Sequence, residues 1–264
     1  MHHNNISTLT IAGSDPCSGA GLQRDLRTFA DFHVSGFSVT TVLTAQNTQG
    51  VTAVEPVSAG FVANQLDALC QDFTMQATKI SIVYTDAIIQ VLLKAVAQGS
   101  LGKVIMDPVL CSSSGWSFFR ETNLHMFIKL LLQADIVTPN MPEAAWLLDC
   151  HLEAVQTKPE SAVARLHQLG IKNILLKGGH QYIGTGAPVT DYFSDGNEMH
   201  MLTHPYIPVA SPMGFHGSGC VLSAAIAACL AKGMDFLPAI HQARTYVWRM
   251  MQQARAVGAG AWLP

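Results

Sequence analysis

A short glycine-containing segment, residues 216–220 (HGSGC), directly precedes an apolar run in the C-terminal part of the chain. Its two glycines allow backbone N–H groups at a helix start to point toward one position, where the helix dipole adds partial positive charge. The segment therefore predicts a phosphate-type anion site with the amides of Gly217, Ser218 and Gly219 as donors. Cys220 follows in the first turn, where a thiolate is favoured and could take part in proton transfer. The alternative is a glycine-rich turn before a buried helix, with Cys220 as a small packing residue.

Polar residues follow several strand-like segments at the points where those strands end. Asp107, Asn140 and Lys177 each follow a short apolar run, and Gln46 follows another. Ligands of parallel α/β folds bind beyond the carboxyl ends of the strands, so we expect these side chains to share a crevice. Simpler interpretations exist, because Asp107 before a proline can end a strand and Lys177 before two glycines can belong to a turn.

Together, these residue types meet the requirements of phosphoryl transfer, in which charge is neutralised and an acceptor hydroxyl is held in line. Lys177 can reach phosphate oxygens, and Glu143 and Asp107 can hold Mg²⁺ through water. Asn140 and Glu143 also have the spacing of a capping box at a helix start, and both interpretations stay open. The chain has neither a P-loop nor a Gly-x-Gly-x-x-Gly after its first strand, which argues against a P-loop NTPase and a dinucleotide oxidoreductase.

The segments that position these residues alternate between strand-like and helix-like patterns. Strands are predicted over residues 8–12, 37–43, 80–83, 103–106, 135–137 and 173–176, and helices over residues 21–32, 61–73, 87–97, 124–132 and 236–256. This alternation with short connections favours an α/β fold, with a mostly parallel sheet and helices on both faces. Residues 190–193 and 198–202 flank the turn sequence SDGN and predict a hairpin. With no linker or repeat, we expect one domain over residues 1–264.

Composition narrows the class of protein. The 264 residues are 49% hydrophobic and 12% charged, with a mean hydropathy of +0.26, which favours strands buried on both faces and an apolar interface in a homodimer. The net charge of −3 without a Lys/Arg cluster argues against nucleic acid as a partner. No apolar run is long enough to span a membrane, and no signal-type segment begins the chain. Six cysteines without metal-type spacing are expected to be reduced thiols in a cytoplasmic protein.

Seven ordered blocks resemble the ribokinase-like superfamily and, within it, the hydroxymethylpyrimidine/phosphomethylpyrimidine kinases of thiamine biosynthesis. The blocks are residues 10–16 (TIAGSDP), 19–25 (GAGLQRD), 43–48 (LTAQNT), 106–109 (MDPV), 138–144 (TPNMPEA), 176–180 (LKGGH) and 216–220 (HGSGC). The resemblance implies a ribokinase-like three-layer α/β/α sandwich. It also implies ATP- and Mg²⁺-dependent phosphorylation of 4-amino-5-hydroxymethyl-2-methylpyrimidine and then of its monophosphate, toward thiamine diphosphate.

On the substrate side, the resemblance assigns to Gln46 paired hydrogen bonds with the aminopyrimidine edge. The backbone of Gly13 and the side chain of Asp25 are expected near the hydroxymethyl group or its phosphate. Ile82, which stands where the family usually has a pyrimidine-contacting methionine, and Val109 complete the expected substrate contacts.

On the nucleotide side, the resemblance assigns the amides of residues 217–220 to the γ-phosphoryl group. It assigns four residues to ATP, namely Asn140, Glu143, Lys177 and Asp107, and of these Glu143 and Asp107 to Mg²⁺ through water. Cys220 stands where sugar kinases of the superfamily carry an aspartate base. It is either the base, or it only shapes the anion site while phosphate takes the proton later. Adenine is expected against the helix that begins near Cys220 and the helix around residues 242–246.

Some segments depart from the family's usual residues. Residues 79–84 read KISIVY where Lys-Ile-Gly-Met is usual, residues 214–216 read GFH where Asn-Thr-His is usual, and the tail at 258–264 is shorter and less His-rich. These departures leave two alternatives. One is a pyridoxal/pyridoxine kinase of the same superfamily, and the other is a non-catalytic pyrimidine-binding relative that kept the fold and lost turnover.

Overall fold

The computed structural model describes residues 6–112, 115–118, 124–179, 188–208 and 214–263. The strands are β1 Ser7–Ser14, β2 Ser35–Asn47, β3 Gly50–Pro56, β4 Ala77–Ile80, β5 Lys103–Met106, β6 Ile136–Val137, β7 Ile174–Leu176, β8 Val189–Ser194 and β9 Met199–His204. The helices are α1 Gly21–Asp31, α2 Ala59–Asp72, α3 Asp86–Ala97, α4 Leu124–Gln133, α5 Met141–Leu147, α6 Leu152–Thr157, α7 Pro159–Gln168, α8 Ser218–Ala231 and α9 Phe236–Gln253.

All of these strands belong to one sheet with the order β3-β2-β1-β4-β5-β6-β7-β8-β9. The six strands from β2 to β7 in this order pair in parallel, whereas β3, at one edge, and the β8–β9 hairpin pair antiparallel with their neighbours. Because parallel strands share a direction, the loops after β1, β4, β5, β6 and β7 all leave from the same side of the sheet. The predicted polar residues at these strand ends are thereby brought to one side.

Helices cover both faces of the sheet and form two cores. One core packs α2 to α7 on one face through side chains such as Val62, Ile88 and Phe127. The other core packs α1, α8 and α9 on the opposite face through side chains such as Phe29 and Ala239. Every residue from 221 to 231 of α8 is buried, because this helix lies between the sheet and its two neighbouring helices. The predicted three-layer α/β/α sandwich is confirmed.

Two strand predictions need correction. The structure extends β2 to Asn47, beyond the predicted end at residue 43, and pairs it with β3, a strand that was not predicted. These residues were missed because they are polar and partly exposed and so lack the pattern of a buried strand. β4 ends at Ile80, whereas the prediction was residues 80–83. Beyond Ile80 the chain leaves the β4–β5 pairing, and the carbonyl of Ile82 accepts a hydrogen bond from Thr41 Oγ1 at 2.6 Å.

In the part of the chain that the structure describes, no helix combines the length and apolarity needed to cross a membrane.

Candidate functional site

The first turn of α8 is held against the loop between β1 and α1. Gly217 is the N-terminal cap of α8, with φ +82°, and a Cβ added to it would overlap the carbonyl oxygen of Gly19. Only glycine satisfies both the left-handed backbone and this close approach. The predicted glycine-rich helix start is therefore present, and Ser218, Gly219 and Cys220 begin the helix as expected.

We expect Gly217→Ala to destabilise the protein and to misplace the first turn of α8. The left-handed backbone alone costs about 1–3 kcal/mol for a non-glycine residue, and the overlap with Gly19 adds to it. The matched control is Gly233→Ala, at φ +83° with no atom within 4 Å of the added Cβ. Urea unfolding of both variants measures the difference. Equal losses of stability in the two variants would show that the close approach to Gly19 is unimportant.

Three predicted nucleotide-site residues meet beside α8. Lys177 Nζ lies 2.8 Å from Asp107 Oδ1 and 4.0 Å from Glu143 Oε2, and a Cβ on Gly219 would be 3.4 Å from the same Nζ. The ends of β6 and β7 support this arrangement, because the backbone N–H of Lys177 donates to the Pro139 carbonyl at 2.8 Å. Burial alone would lower the pKa of Lys177, but the two carboxylates outweigh it and raise that pKa, so the side chain is an ammonium.

Asp107 is buried, and protein donors already occupy both of its oxygens. Oδ1 accepts from Lys177 at 2.8 Å and from Thr138 Oγ1 at 3.1 Å, and Oδ2 accepts from Ser223 Oγ at 3.1 Å. Ser223 lies in α8, so Asp107 ties the end of β5 to that helix. With these donors in place, a cation could approach this carboxylate through water.

Glu143 belongs both to the capping box of α5 and to the carboxylates beside Lys177. Asn140 Oδ1 accepts from the Glu143 backbone N–H at 2.8 Å, and Glu143 Oε2 accepts from the Asn140 backbone N–H at 2.7 Å. Burial, together with the nearby Asp107, raises the pKa of Glu143 to about 7, against the opposing effect of Lys177. Hard carboxylate oxygens next to a lysine at a helix N-terminus suit a hydrated Mg²⁺ that arrives with phosphate. The two interpretations of the Asn140–Glu143 spacing, a capping box and a group that can hold Mg²⁺ through water, are therefore compatible.

The structure corrects the expectation that the Cys220 thiolate is favoured. Burial raises the pKa of Cys220 above 9.0, although Lys79 and a hydrogen bond from the Gly21 backbone N–H act in the opposite direction. Desolvation thus outweighs the interactions with Lys79 and Gly21 that favour the thiolate. Cys220 lies between the starts of α1 and α8 as a protonated thiol near neutral pH.

Alkylation of Cys220 should therefore be slow at pH 7 and increase only at more alkaline pH than for an ordinary cysteine, because the thiolate is the reacting species. Mass spectrometry of the peptides after a timed reaction at several pH values measures this rate, with the exposed Cys111 as an internal reference. Rapid modification of Cys220 at pH 7 would contradict the raised pKa.

Gln46 is connected to the start of α8 through a histidine. The amide nitrogen of Gln46 lies 3.1 Å from His216 Nε2, and that same ring nitrogen lies 3.0 Å from Asp15 Oδ2. Asp15 also accepts backbone N–H bonds from Cys17 at 2.9 Å and from Ala20 at 2.8 Å. Burial would raise the pKa of Asp15, but its hydrogen bonds with His216 and these neighbours outweigh the burial and lower it. His216 begins the predicted motif, but its contacts with Asp15 and Gln46 were not predicted from the sequence.

Asp25 lies beneath the site and is fully buried, not exposed to a ligand. Its two oxygens each lie 2.7 Å from Lys79 Nζ, and Oδ2 also accepts from Thr10 Oγ1 at 2.6 Å. Burial alone would lower the pKa of Lys79, but attraction to Asp25 outweighs it and raises that pKa. Asp25 is expected near the hydroxymethyl group or its phosphate, and the structure shows its carboxylate fully buried in a pair with Lys79. In this conformation Asp25 supports the site through Lys79, which the sequence analysis missed because it lies within a buried strand.

The remaining predicted substrate contacts lie around the ends of β1, β4 and β5. A Cβ on Gly13 would be 2.8 Å from Val42 Cγ1 and 3.3 Å from Ile82 Cδ1, so Ile82 packs over the Gly13 backbone. Val109 is half-buried, and its backbone N–H donates to the Asp107 carbonyl at 2.8 Å. Gly13 and Ile82 therefore lie together, and Val109 lies beside Asp107.

The C-terminal tail contributes to the site in a way that the sequence did not predict. The backbone N–H of His216 donates to the Trp262 carbonyl at 2.9 Å, and the Trp262 N–H donates to the Gly214 carbonyl at 3.0 Å. The Ala261 N–H donates to the Thr48 carbonyl, in the β2–β3 turn, at 2.8 Å. The tail thus connects the β2–β3 hairpin to the segment that enters α8.

The structure does not support the expected contact between adenine and the part of α9 that contains Tyr246. Its ring packs against Phe32 with centroids 5.0 Å apart, and its hydroxyl donates to Asp31. Asp31 and Phe32 lie at the C-terminal end of α1, whereas the N-terminal end of α1, at Gly21, contacts Cys220. Tyr246 therefore faces the opposite end of α1 from the anion site.

Comparison with known proteins gives concordant findings. Residues 15–263 match the family described as phosphomethylpyrimidine kinase. The hydroxymethylpyrimidine/phosphomethylpyrimidine kinase of Rhizobium meliloti is 39% identical over 256 residues, which cover 96% of this chain and 92% of that protein.

Two solved structures are also similar. The ADP complex of Bacillus subtilis pyridoxal kinase superposes with a TM-score of 0.85 at 26% identity, over 97% of this chain and 95% of that one. Phosphomethylpyrimidine kinase from Clostridium difficile 630 superposes with a TM-score of 0.74 at 32% identity, over 92% of this chain and 98% of that one.

Proposed function

The chain belongs to the phosphomethylpyrimidine kinase family, and from this premise we propose that it phosphorylates an aminopyrimidine alcohol with ATP. The substrate is the hydroxymethyl group of 4-amino-5-hydroxymethyl-2-methylpyrimidine and then its monophosphate, in the formation of thiamine diphosphate. The first step forms a phosphate ester at the hydroxymethyl oxygen, the second forms a phosphoanhydride bond on that phosphate, and each step releases ADP.

The observation that supports this proposal is the placement of a cation and two carboxylates beside the first turn of α8. Lys177 lies 2.8 Å from Asp107 and 4.0 Å from Glu143, and it is adjacent to Gly219. The amides of residues 217–220 and the α8 dipole supply positive potential at the same place. Lys177 and these amides, with a Mg²⁺ held by the two carboxylates, would neutralise the charge that develops on a transferred phosphoryl group.

We propose that Mg²⁺ accompanies ATP and is held through water by Glu143 and Asp107. When bound, the ion neutralises phosphate charge. Asn140 fixes the Glu143 carboxylate through the capping box, and Lys177 remains an ammonium that can bind phosphate oxygens. Each of these residues thus orients a charge before ATP arrives, which lowers the reorganisation required in the transition state.

On the acceptor side, we propose that Gln46 binds the aminopyrimidine edge through its amide, since an amide both donates and accepts. His216, fixed by Asp15, orients that amide at 3.1 Å. The site packs Ile82 over Gly13, and we propose that the ring lies between these residues and Val109. Cys220 is proposed to shape the site at the alcohol, because its raised pKa does not provide a thiolate base before ligands bind.

The test is ADP release, measured by a coupled assay with three acceptors under identical conditions: the aminopyrimidine alcohol, its monophosphate and pyridoxine. We expect the aminopyrimidine to be preferred over pyridoxine by at least about tenfold in kcat/KM. The Gln46→Leu variant should raise KM for the aminopyrimidine, whereas Gln65→Leu, which removes a glutamine bonded to Thr40 on the β2 backbone, serves as a control.

The second candidate is a pyridoxal/pyridoxine kinase, favoured by the structural similarity to Bacillus subtilis pyridoxal kinase. A tenfold preference for pyridoxine in the same assay would establish this alternative. Binding of the aminopyrimidine without ADP release would instead identify a non-catalytic pyrimidine-binding protein.

A homodimer in the cytoplasm remains part of this proposal. Large apolar side chains are exposed on and near the β2–β3 edge, including Leu43 and Phe61, which suits a subunit interface. Sedimentation equilibrium of the purified chain measures the oligomeric state.

A further inference from the structure

Three potential metal ligands from distant parts of the sequence meet at the loop between β1 and α1. One ligand atom from each of Asp15, Cys17 and His216 lies within 4.8 Å of the other two, and Asp15 Oδ2 is 3.0 Å from His216 Nε2. Asp15 is buried, and Cys17 and His216 are half-buried. We propose that these three side chains form a Zn²⁺ site, distinct from the Mg²⁺ position beside Glu143.

The donor set selects zinc over magnesium. A thiolate, an imidazole nitrogen and a carboxylate oxygen are the ligands of tetrahedral Zn²⁺, whereas Mg²⁺ prefers oxygen ligands alone. Metal–ligand lengths of about 2.0–2.3 Å put neighbouring tetrahedral ligands roughly 3.3–3.8 Å apart, so Cys17 needs only a small movement. The Gln46 amide lies 3.1 Å from His216 Nε2, and turning it over would present its oxygen as a fourth ligand.

The surroundings fix two of the ligands before any metal binds. Backbone N–H groups of Cys17 and Ala20 hold the Asp15 carboxylate, at 2.9 and 2.8 Å. The backbone of His216 is held by the Trp262 carbonyl at 2.9 Å. Such supporting contacts orient metal ligands and strengthen binding. On binding, a Zn–S bond forms while the S–H bond of Cys17 breaks, and that proton passes to water. A Zn–N bond forms at His216 Nε2 as the ring proton moves from Nε2 to Nδ1, so the neutral imidazole is kept.

Zinc at this position would compete with Gln46 for His216. If the proposed function is correct, Zn²⁺ therefore raises KM for the aminopyrimidine, because Gln46 loses the contact that orients its amide. This consequence rests on the proposed function, whereas metal binding itself does not.

The binding test uses Co²⁺ as a spectroscopic probe and Zn²⁺ as its competitor. His2 and His3 are replaced by alanine in every protein, since they could bind metal themselves. We expect Co²⁺ to produce a thiolate charge-transfer band and the intense visible bands of tetrahedral coordination, and Zn²⁺ to displace both. Cys17→Ser should abolish the charge-transfer band and weaken Zn²⁺ affinity by more than about tenfold, whereas Cys70→Ser, at a half-buried cysteine in α2, should change neither.

A second measurement does not depend on spectroscopy or on activity. Zn²⁺ should protect Cys17 from alkylation and leave the exposed Cys111 unprotected. The proposal is overturned if Cys17→Ser binds Zn²⁺ as tightly as its parent, or if Zn²⁺ does not protect Cys17. A protein that binds Zn²⁺ at Cys17 but phosphorylates no alcohol would retain this site and refute the proposed function alone.

Discussion

Replacement of Lys177 by methionine is expected to lower kcat by about 10²–10³-fold, the usual effect of removing one preorganised group from a transition-state site. Lys177 is the only cation described within 4 Å of both Asp107 and Glu143 among the residues that the structure describes. Methionine keeps the length of the side chain and removes its charge. The two carboxylates would then repel the phosphate groups that the lysine attracts. Steady-state kinetics with saturating ATP and alcohol measures the effect.

The control for this variant is Lys172→Met, at an exposed lysine shortly before β7, which should retain full kcat. Circular dichroism of both proteins verifies folding, because Lys177→Met also leaves the buried Asp107 without its ammonium partner. A folded Lys177→Met protein with unchanged kcat would remove Lys177 from the proposed phosphate site.

The residues at the strand ends could be predicted because the signals for parallel strands are local. A strand such as β5 is short, apolar and ended by a proline, so Asp107 could be placed at its carboxyl end from sequence alone. The fold class then places it beside the end of the neighbouring strand. The Asn140–Glu143 spacing was equally informative, since the capping box that it predicts also holds the Glu143 carboxylate.

The contacts that complete the site could not be predicted, since they join distant residues whose types have many other uses. Lys79 lies in a buried strand, 54 residues from the Asp25 that neutralises it. His216 lies 201 residues from Asp15. The pKa of Cys220 is likewise decided by burial in the folded site, which no helix-start motif reports. The sequence thus predicts the side chains at the strand ends more readily than the buried or distant side chains that support them.

The Asp25–Lys79 pair is expected to dominate the stability of this part of the molecule. Both side chains are fully buried, with Lys79 Nζ 2.7 Å from Asp25. Lys79→Met would leave a buried carboxylate without its partner, and removing one member of a buried ion pair costs about 3–5 kcal/mol. We expect the free energy of unfolding in urea to fall by this amount. The matched control is Lys103→Met, at the exposed pair with Asp135 at 3.2 Å, where the loss should stay below about 1 kcal/mol.

The double variant Lys79→Met/Asp25→Leu distinguishes stability from function. Replacing both partners by apolar residues removes the unpaired charge, so most of the lost stability should return. Activity should not return with it, because the double variant also loses the positive charge of Lys79 close to Cys220 and Asp107, beside the proposed phosphate site. Recovery of both stability and kcat would show that the pair only holds the fold together. Recovery of stability alone would place the Lys79 charge among the groups that the reaction requires.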